Sequence, residues 1–295
     1  MSKISVTNWP RLWPVLAVLV SILSVQSGAS LSKHLFPMIG AEGTTALRQL
    51  FSTLVLLAVF RPWQAGPERR HWPIIALYGA ILGVMNLTFY MALARIPLGI
   101  AVALEFMGPL AVAILGSRRW TDFIWVACAI AGLCFLLPLH RGAAALDGIG
   151  VIWAVAAAVC WGVYIIVGQK VADRVHGGKA VALGMAFSIF LTLPVGMIHA
   201  GATLWSWSVL PWGIGIAILS SAIPYSLEMM ALKHIPTKTF GLMMSLEPAA
   251  GAIIGLMVLH ELLSPQQWLA ILLVIVASAG SSLTAKRVSQ DAVAE

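Results

Sequence analysis

The chain has 295 residues, of which 10% are charged and 60% hydrophobic, whereas soluble globular domains carry roughly a quarter charged residues. A soluble fold would expose much of that apolar surface to water, while a bilayer accepts it; composition therefore excludes an ordinary cytosolic enzyme and points to an all-α integral membrane protein. The net charge of +7 is scattered between apolar runs instead of gathered into a basic stripe beside aromatics, which argues against a nucleic-acid partner and for the lipid bilayer.

The first apolar run, 12–32, follows Lys3 and Arg11 and holds no charge. It is longer than the apolar region of a cleavable signal peptide and reads as a membrane helix. Nine further stretches are long enough to cross about 30 Å of hydrocarbon: 42–60, 72–94, 97–116, 121–139, 148–169, 180–198, 208–232, 237–259 and 265–285. Between Ala180 and Leu227 there is no Asp, Glu, Lys or Arg. One helix of that length would reach roughly 72 Å at 1.5 Å per residue, so two helices are expected, with the break at His199 to Trp207.

Ten spans with the amino terminus inside place fourteen Lys and Arg on the cytoplasmic side and only Lys33, Arg95 and Arg141 on the other, leaving Arg48 within a span. That bias predicts both termini in the cytoplasm. Trp9, Trp13, Trp63, Trp72, Trp120, Trp205, Trp207 and Trp268 fall near span ends, where interfacial anchors belong. Cys128, Cys134 and Cys160 lie inside apolar runs without disulfide or zinc spacing and are expected to act as small buried hydrophobes.

An offset of 139 residues aligns Met91-Ala-Leu-Ala-Arg-Ile-Pro97 with Met230-Ala-Leu-Lys-His-Ile-Pro236, and Pro109 with Pro248; 10 of the 26 positions from 91 to 116 are identical without a gap. Such a period signals an internal repeat. It relates spans three and four to spans eight and nine, an offset of five. Because five is odd, the two copies, 1–140 and 141–295, are expected to cross the membrane in opposite senses. That is the inverted five-helix architecture of secondary transporters, with a substrate site near the midplane.

Glu105, Glu228, Glu247 and Arg48 lie well inside spans, where each ionised group costs a few kcal/mol by insertion scales, roughly, unless it faces a cavity or a partner. Arg48 paired with one glutamate would be a purely structural arrangement, but three acids and one base cannot all neutralise one another. A carboxyl without a partner in low dielectric can pick up and release a proton near neutrality. Pro109 removes the donor to the carbonyl of Glu105, Pro248 the donor to Met244, and Pro224 the donor to Ser220. Broken helices at membrane depth line protein or water-filled space, which makes these positions candidate site elements. Gln26, Ser27, Ser30, Asn86, Tyr90, Trp161 and Tyr164 are candidate lining residues. The small-xxx-small pairs Gly79/Gly83 and Gly251/Gly255 serve packing within one chain or a homodimer interface.

All seven histidines sit at span ends or in loops, so no Ser-His dyad or H-E-x-x-H zinc site can be built at depth, and no phosphate-binding G-x-x-x-x-G-K-[ST] loop exists. An intramembrane protease and ATP-driven transport are therefore excluded, and no cofactor is called for.

The duplicated ten-span pattern resembles the drug/metabolite transporter superfamily, with EamA-type halves covering nearly the whole chain. Gln26-Ser-Gly-Ala-Ser-Leu31, Pro97-Leu-Gly-Ile-Ala-Val-Ala-Leu-Glu-Phe-Met-Gly-Pro109, Ser117-Arg-Arg119, Pro224-Tyr-Ser-Leu-Glu-Met229 and Phe240-Gly-Leu-Met-Met-Ser-Leu-Glu-Pro-Ala249 look like its branch of threonine/homoserine exporters of the bacterial inner membrane. The resemblance implies efflux of small amino acids by proton antiport with alternating access. Export of another amino acid, a nucleoside or an amphiphilic drug is the alternative within transport, and a channel-like or structural membrane protein the alternative outside it. The family has Gly-Glu after the ninth span where this chain has His260-Glu261, and Glu261 is expected to be a solvated loop acid.

Overall fold

The computed structural model describes residues 9–64, 67–115, 120–136, 146–175, 177–232 and 234–284. Helices and their connections account for all of them, with no strand among the described residues. In chain order the helices are α1 (Trp9–Lys33), α2 (Phe36–Phe60), α3 (Trp72–Leu93), α4 (Leu98–Glu105), α5 (Met107–Leu115), α6 (Trp120–Leu136), α7 (Gly148–Ala172), α8 (Gly177–Ala200), α9 (Leu210–Ala217), α10 (Ile223–Leu232), α11 (Thr237–Met244), α12 (Glu247–Leu259) and α13 (Pro265–Thr284). Eight stretches are long and apolar enough to cross a membrane, and the apolar helical stretches Leu98–Val112 and Phe123–Phe135 are shorter. The chain is a multi-pass membrane protein. Lys3, Arg118, Arg119, Lys233, Lys286 and Arg287, six of the fourteen charges expected on the cytoplasmic side, and Arg141 of the three expected on the other lie outside the described residues, as does the 140/141 boundary between the expected copies.

Three of the expected spans are not continuous α-helices. The first interruption is at Phe106, between α4 and α5, and the second at Ser245 and Leu246, between α11 and α12. These breaks are themselves 139 residues apart (106 and 245). The helices that enter them start alike: Pro97 (φ −58°, ψ 145°) precedes α4, and Pro236 (φ −59°, ψ 141°) precedes α11. Proline fixes φ and supplies no N–H, so it suits a helix start, where that donor has no intrahelical partner. The third interruption is a π-turn, Ile218–Ala222, between α9 and α10 just before Pro224. The expected break near His199–Trp207 is a short 3-10 turn, Gly201–Trp205, entered through Gly201 at φ +57°.

Small residues set how the helices run past one another. Gly99 of α4 lies against Ala252 of α12, and Val102 against Gly251, so these two helices are antiparallel. Gly43 meets Ala200 and Ala46 meets Gly196, making α2 and α8 antiparallel, whereas Gly79 against Gly184 and Gly83 against Ser188 make α3 and α8 parallel. Gly28 touches Ser220 while Ser21 bonds Glu228, setting α1 antiparallel to α10. Both small-xxx-small pairs are thus used inside the chain. A Cβ at Gly99 would sit 2.6 Å from Ala252 Cα. Gly99→Val is accordingly expected to destabilise the bundle by about 1–3 kcal/mol through overpacking, seen as a lowered melting temperature in detergent.

The outward faces carry large apolar residues such as Phe190, Ile198 and Met257, as lipid contact requires. The cysteines are free thiols, but they depart from the expected burial: Cys134 is exposed and Cys128 and Cys160 are half-buried. They belong to lipid-side faces and packing seams, where a small apolar side chain suits either neighbour.

Candidate functional site

A cavity of about 220 Å³ lies among α1, α2, α3, α4, α7, α8, α10, α11 and α12, close to all three helix interruptions. Gln26, Arg48, Asn86, Tyr90, Glu105, Trp161, Tyr164, Glu228 and Glu247 all line it, drawn from separate parts of the chain. Ionisable and amide side chains in apolar helices turn inward because lipid offers them no hydrogen bonds.

Arg48 is fixed on one wall. Its Nε donates to Ser220 Oγ (3.0 Å) and one terminal nitrogen to Asn86 Oδ1, while its guanidinium carbon lies 5.3 Å from the centre of the Tyr90 ring. Asn86 is itself anchored, donating to the Leu82 carbonyl (2.8 Å), and the Tyr90 hydroxyl is within 3.0 Å of Ser32 Oγ. The guanidinium is thus positioned entirely by neutral groups. No ion pair joins Arg48 to any of the three glutamates among the described residues, so the purely structural pairing is not what the fold builds.

The carboxylates differ in setting. Glu228 accepts a hydrogen bond from Ser21 Oγ across the α1–α10 contact (2.5 Å). Glu105 ends α4 and Glu247 begins α12, both are buried, and neither has a hydrogen-bond or ion-pair partner for its side chain among the described residues. Helix ends of opposite polarity therefore meet the chamber through these two acids.

The aromatic wall is braced from behind: Tyr78 donates to the Tyr164 hydroxyl (2.5 Å), and Trp161 stands edge-on to Phe106 at 5.5 Å. Of the three prolines expected to mark the site, Pro224 lines the chamber. Pro248 is buried at the start of α12, and the chamber is lined there by the adjacent Glu247 instead. Pro109 lines a neighbouring cavity of about 240 Å³ with Phe106, Leu110 and Ser278. The interruption near Glu105 falls at Phe106, three residues ahead of Pro109.

Ser27 and Ser30 are not chamber residues; Ser30 is buried with its hydroxyl unpartnered. Ser220 and Tyr225, absent from the sequence-derived set as side chains, do line it. The break at Pro224 is the signal that brings them there, because a π-turn shifts the face a helix presents and such turns gather at functional sites.

Glu261 corrects another expectation. It is not a solvated loop acid: its carboxylate pairs with Lys33 Nζ (2.5 Å) and accepts from the backbone N–H of Leu98 (2.8 Å), while Lys33 also donates to the Ile96 carbonyl (3.1 Å). The side chain therefore caps α4 and ties it to the end of α1. Beneath it, Leu93, Leu98 and Val102 pack with Phe36, Phe89 and Leu259 in an apolar plug. Glu261→Gln weakens a charge-assisted bond of about 1.5–3 kcal/mol, so hydrogen exchange at the Leu98 amide should accelerate about tenfold or more, read by mass spectrometry.

The profile of the EamA-like transporter family matches residues 148–283. Over 286 residues, 97% of each chain, the sequence is 48% identical to the threonine/homoserine exporter RhtA of Salmonella typhimurium strain LT2 and 47% identical to that of Escherichia coli strain K12. It is 25% identical over 238 residues, 75% of this chain and 77% of the other, to the uncharacterized transporter YwfM of Bacillus subtilis. A protein of known crystal structure superposes with a TM-score of 0.61 at 18% identity, over 93% of this chain and 99% of its own, which speaks to the fold alone.

Proposed function

Since the chain belongs to the EamA-like transporter family, we propose that it exports small amino acids of the threonine and homoserine type across the bacterial inner membrane. The export is proton antiport, by alternating access. The observation that carries the reading is the chamber itself: a neutral-anchored arginine shares it with two buried carboxyls that have no hydrogen-bond or ion-pair partner among the described residues. An amino-acid zwitterion supplies what each wall lacks, its carboxylate to Arg48 and its ammonium to Glu105 and Glu247. The identity to the named exporters over nearly the whole chain supports the same substrate class.

Size argues in the same direction. Drug-sized ligands occupy pockets of roughly 300–1,000 Å³, and this chamber is about 220 Å³. A small metabolite fits such a space, whereas an amphiphilic drug requires it to expand.

The transport cycle rests on two inverted halves, ten spans and cytoplasmic termini. The matched starts at Pro97 and Pro236 and the breaks at Phe106 and Ser245 support a duplication. The antiparallel contact of α4 with α12, which the repeat equates through α4–α5 and α11–α12, supports opposite orientation. On this topology the Lys33–Glu261 clasp and its plug stand on the external side and shut the chamber from outside, and rocking of the halves opens it. Each glutamate that takes the substrate ammonium cannot at the same time hold a proton, and that competition couples export to proton entry.

The test is efflux from proteoliposomes under an imposed proton gradient, with a panel of amino acids, a nucleoside and a dye. Saturable, gradient-dependent threonine or homoserine flux is the expected result. Flux that neither saturates nor responds to the gradient would identify a channel instead.

A further inference from the structure

Within the amino-acid reading, which this inference rests on, we infer that the Gln26 amide recognises the side-chain hydroxyl of the substrate. Gln26 lines the chamber from the second half of α1 and is 2% exposed, yet its Oε1 has no hydrogen-bond partner among the described residues. A buried amide left unpaired carries a desolvation penalty that a bound polar group relieves. Of the other neutral polar groups that line the chamber, Asn86, Ser220, Tyr90 and Tyr164 are engaged with protein partners.

Its placement suits a hydroxyl and not a charge. Gln26 Oε1 lies against Gly251 of α12, beside Val102 of α4. Gly251 is one helical turn beyond Glu247, and Val102 one turn before Glu105, so the amide flanks the two carboxyls that receive the ammonium. In a 3-hydroxy amino acid the hydroxyl is borne on the carbon next to the one that carries the ammonium, and a 4-hydroxy amino acid extends it by one methylene. A glutamine amide offers both a donor and an acceptor, which matches a hydroxyl, itself both. Gly251 keeps the pocket open, since a Cβ there would come within 3.4 Å of Gln26 Oε1 and 3.3 Å of Val102.

A site built to bond a hydroxyl discriminates strongly against an analogue lacking it, because its own polar group is then left unpaired. Proteoliposome efflux measured for threonine, homoserine, valine and 2-aminobutyrate reads this directly. The unsubstituted protein is expected to favour threonine over valine, and Gln26→Met to lower that ratio at least tenfold, chiefly through loss of threonine flux. Gln26→Asn, which retracts the amide by one methylene, should lower the ratio in the same direction and serves if the methionine variant does not fold. An unchanged ratio in a folded variant, or equal loss for all four solutes, overturns the role of Gln26 while leaving amino-acid export standing. Absence of amino-acid flux from the unsubstituted protein overturns both.

Discussion

Glu105→Gln is expected to reduce proton-gradient-driven efflux by about two orders of magnitude, the equivalent of roughly 2.7 kcal/mol, while substrate-for-substrate exchange survives. The distinction follows from where Glu105 stands. It is the last residue of α4, immediately before the interruption at Phe106, buried in the chamber wall without a hydrogen-bond or ion-pair partner among the described residues. Glu228, by contrast, already accepts from Ser21, and Glu247 stands at a helix start, where the dipole favours an anion. In the proposed antiport Glu105 therefore has the freest choice between proton and ammonium, and it is the carboxyl we propose for the proton. The glutamine variant keeps the shape and a polar end but cannot exchange a proton, so it remains in its neutral form throughout the cycle. On the proposed antiport cycle, exchange needs only reorientation with substrate bound, whereas net efflux needs the return with a proton. The check is paired assays on one vesicle preparation, and gradient-driven efflux at the unsubstituted rate would move the proton to another carboxyl.

Most of the chamber is legible in the sequence because lipid is an intolerant solvent. Arg48, Asn86 and the three glutamates interrupt long apolar runs, and each had to turn toward a shared interior. The breaks were legible in kind, from proline, but not in place. The interruption near Glu105 sits at Phe106 and not at Pro109, and Pro224 marks a π-turn that no residue pattern distinguishes from an ordinary kink. Ser21, Ser220 and Tyr225 were not legible, since Ser and Tyr occur in apolar helices for packing, for bonding their own backbone carbonyls or for function alike. The Glu261 clasp was hidden for a different reason: its partner Lys33 is 228 residues away, and only the fold brings a loop acid to the first amide of α4. The repeat exposed the scaffold but not the chemistry. At its offset Glu105 corresponds to Met244 and Glu247 to Gly108, so the acids occupy unequal places on two similar frames.

Arg48→Gln should raise the half-saturating concentration of threonine about 10–150-fold, the range that a loss of 1.5–3 kcal/mol from a hydrogen bond to a charged group produces. The argument turns on what holds the guanidinium. Its hydrogen-bond and ring partners, Ser220, Asn86 and the Tyr90 ring, are neutral, and no carboxylate among the described residues stands within ion-pair distance of it. That leaves the electrostatic attraction available to a substrate carboxylate, and the planar fork offers it paired donors. Arg48→Lys keeps the charge but loses the fork and the span between Ser220 and Asn86, and is expected to recover only part of the affinity. The decisive comparison is with the amino alcohol that corresponds to threonine, which retains ammonium and hydroxyl but lacks the carboxylate. If Arg48 binds that carboxylate, the arginine-to-glutamine change weakens competition by threonine and leaves competition by the amino alcohol nearly unaltered. Equal weakening of both would show that Arg48 supports the wall of the chamber through Asn86 and Ser220, and the carboxylate would have to be received elsewhere.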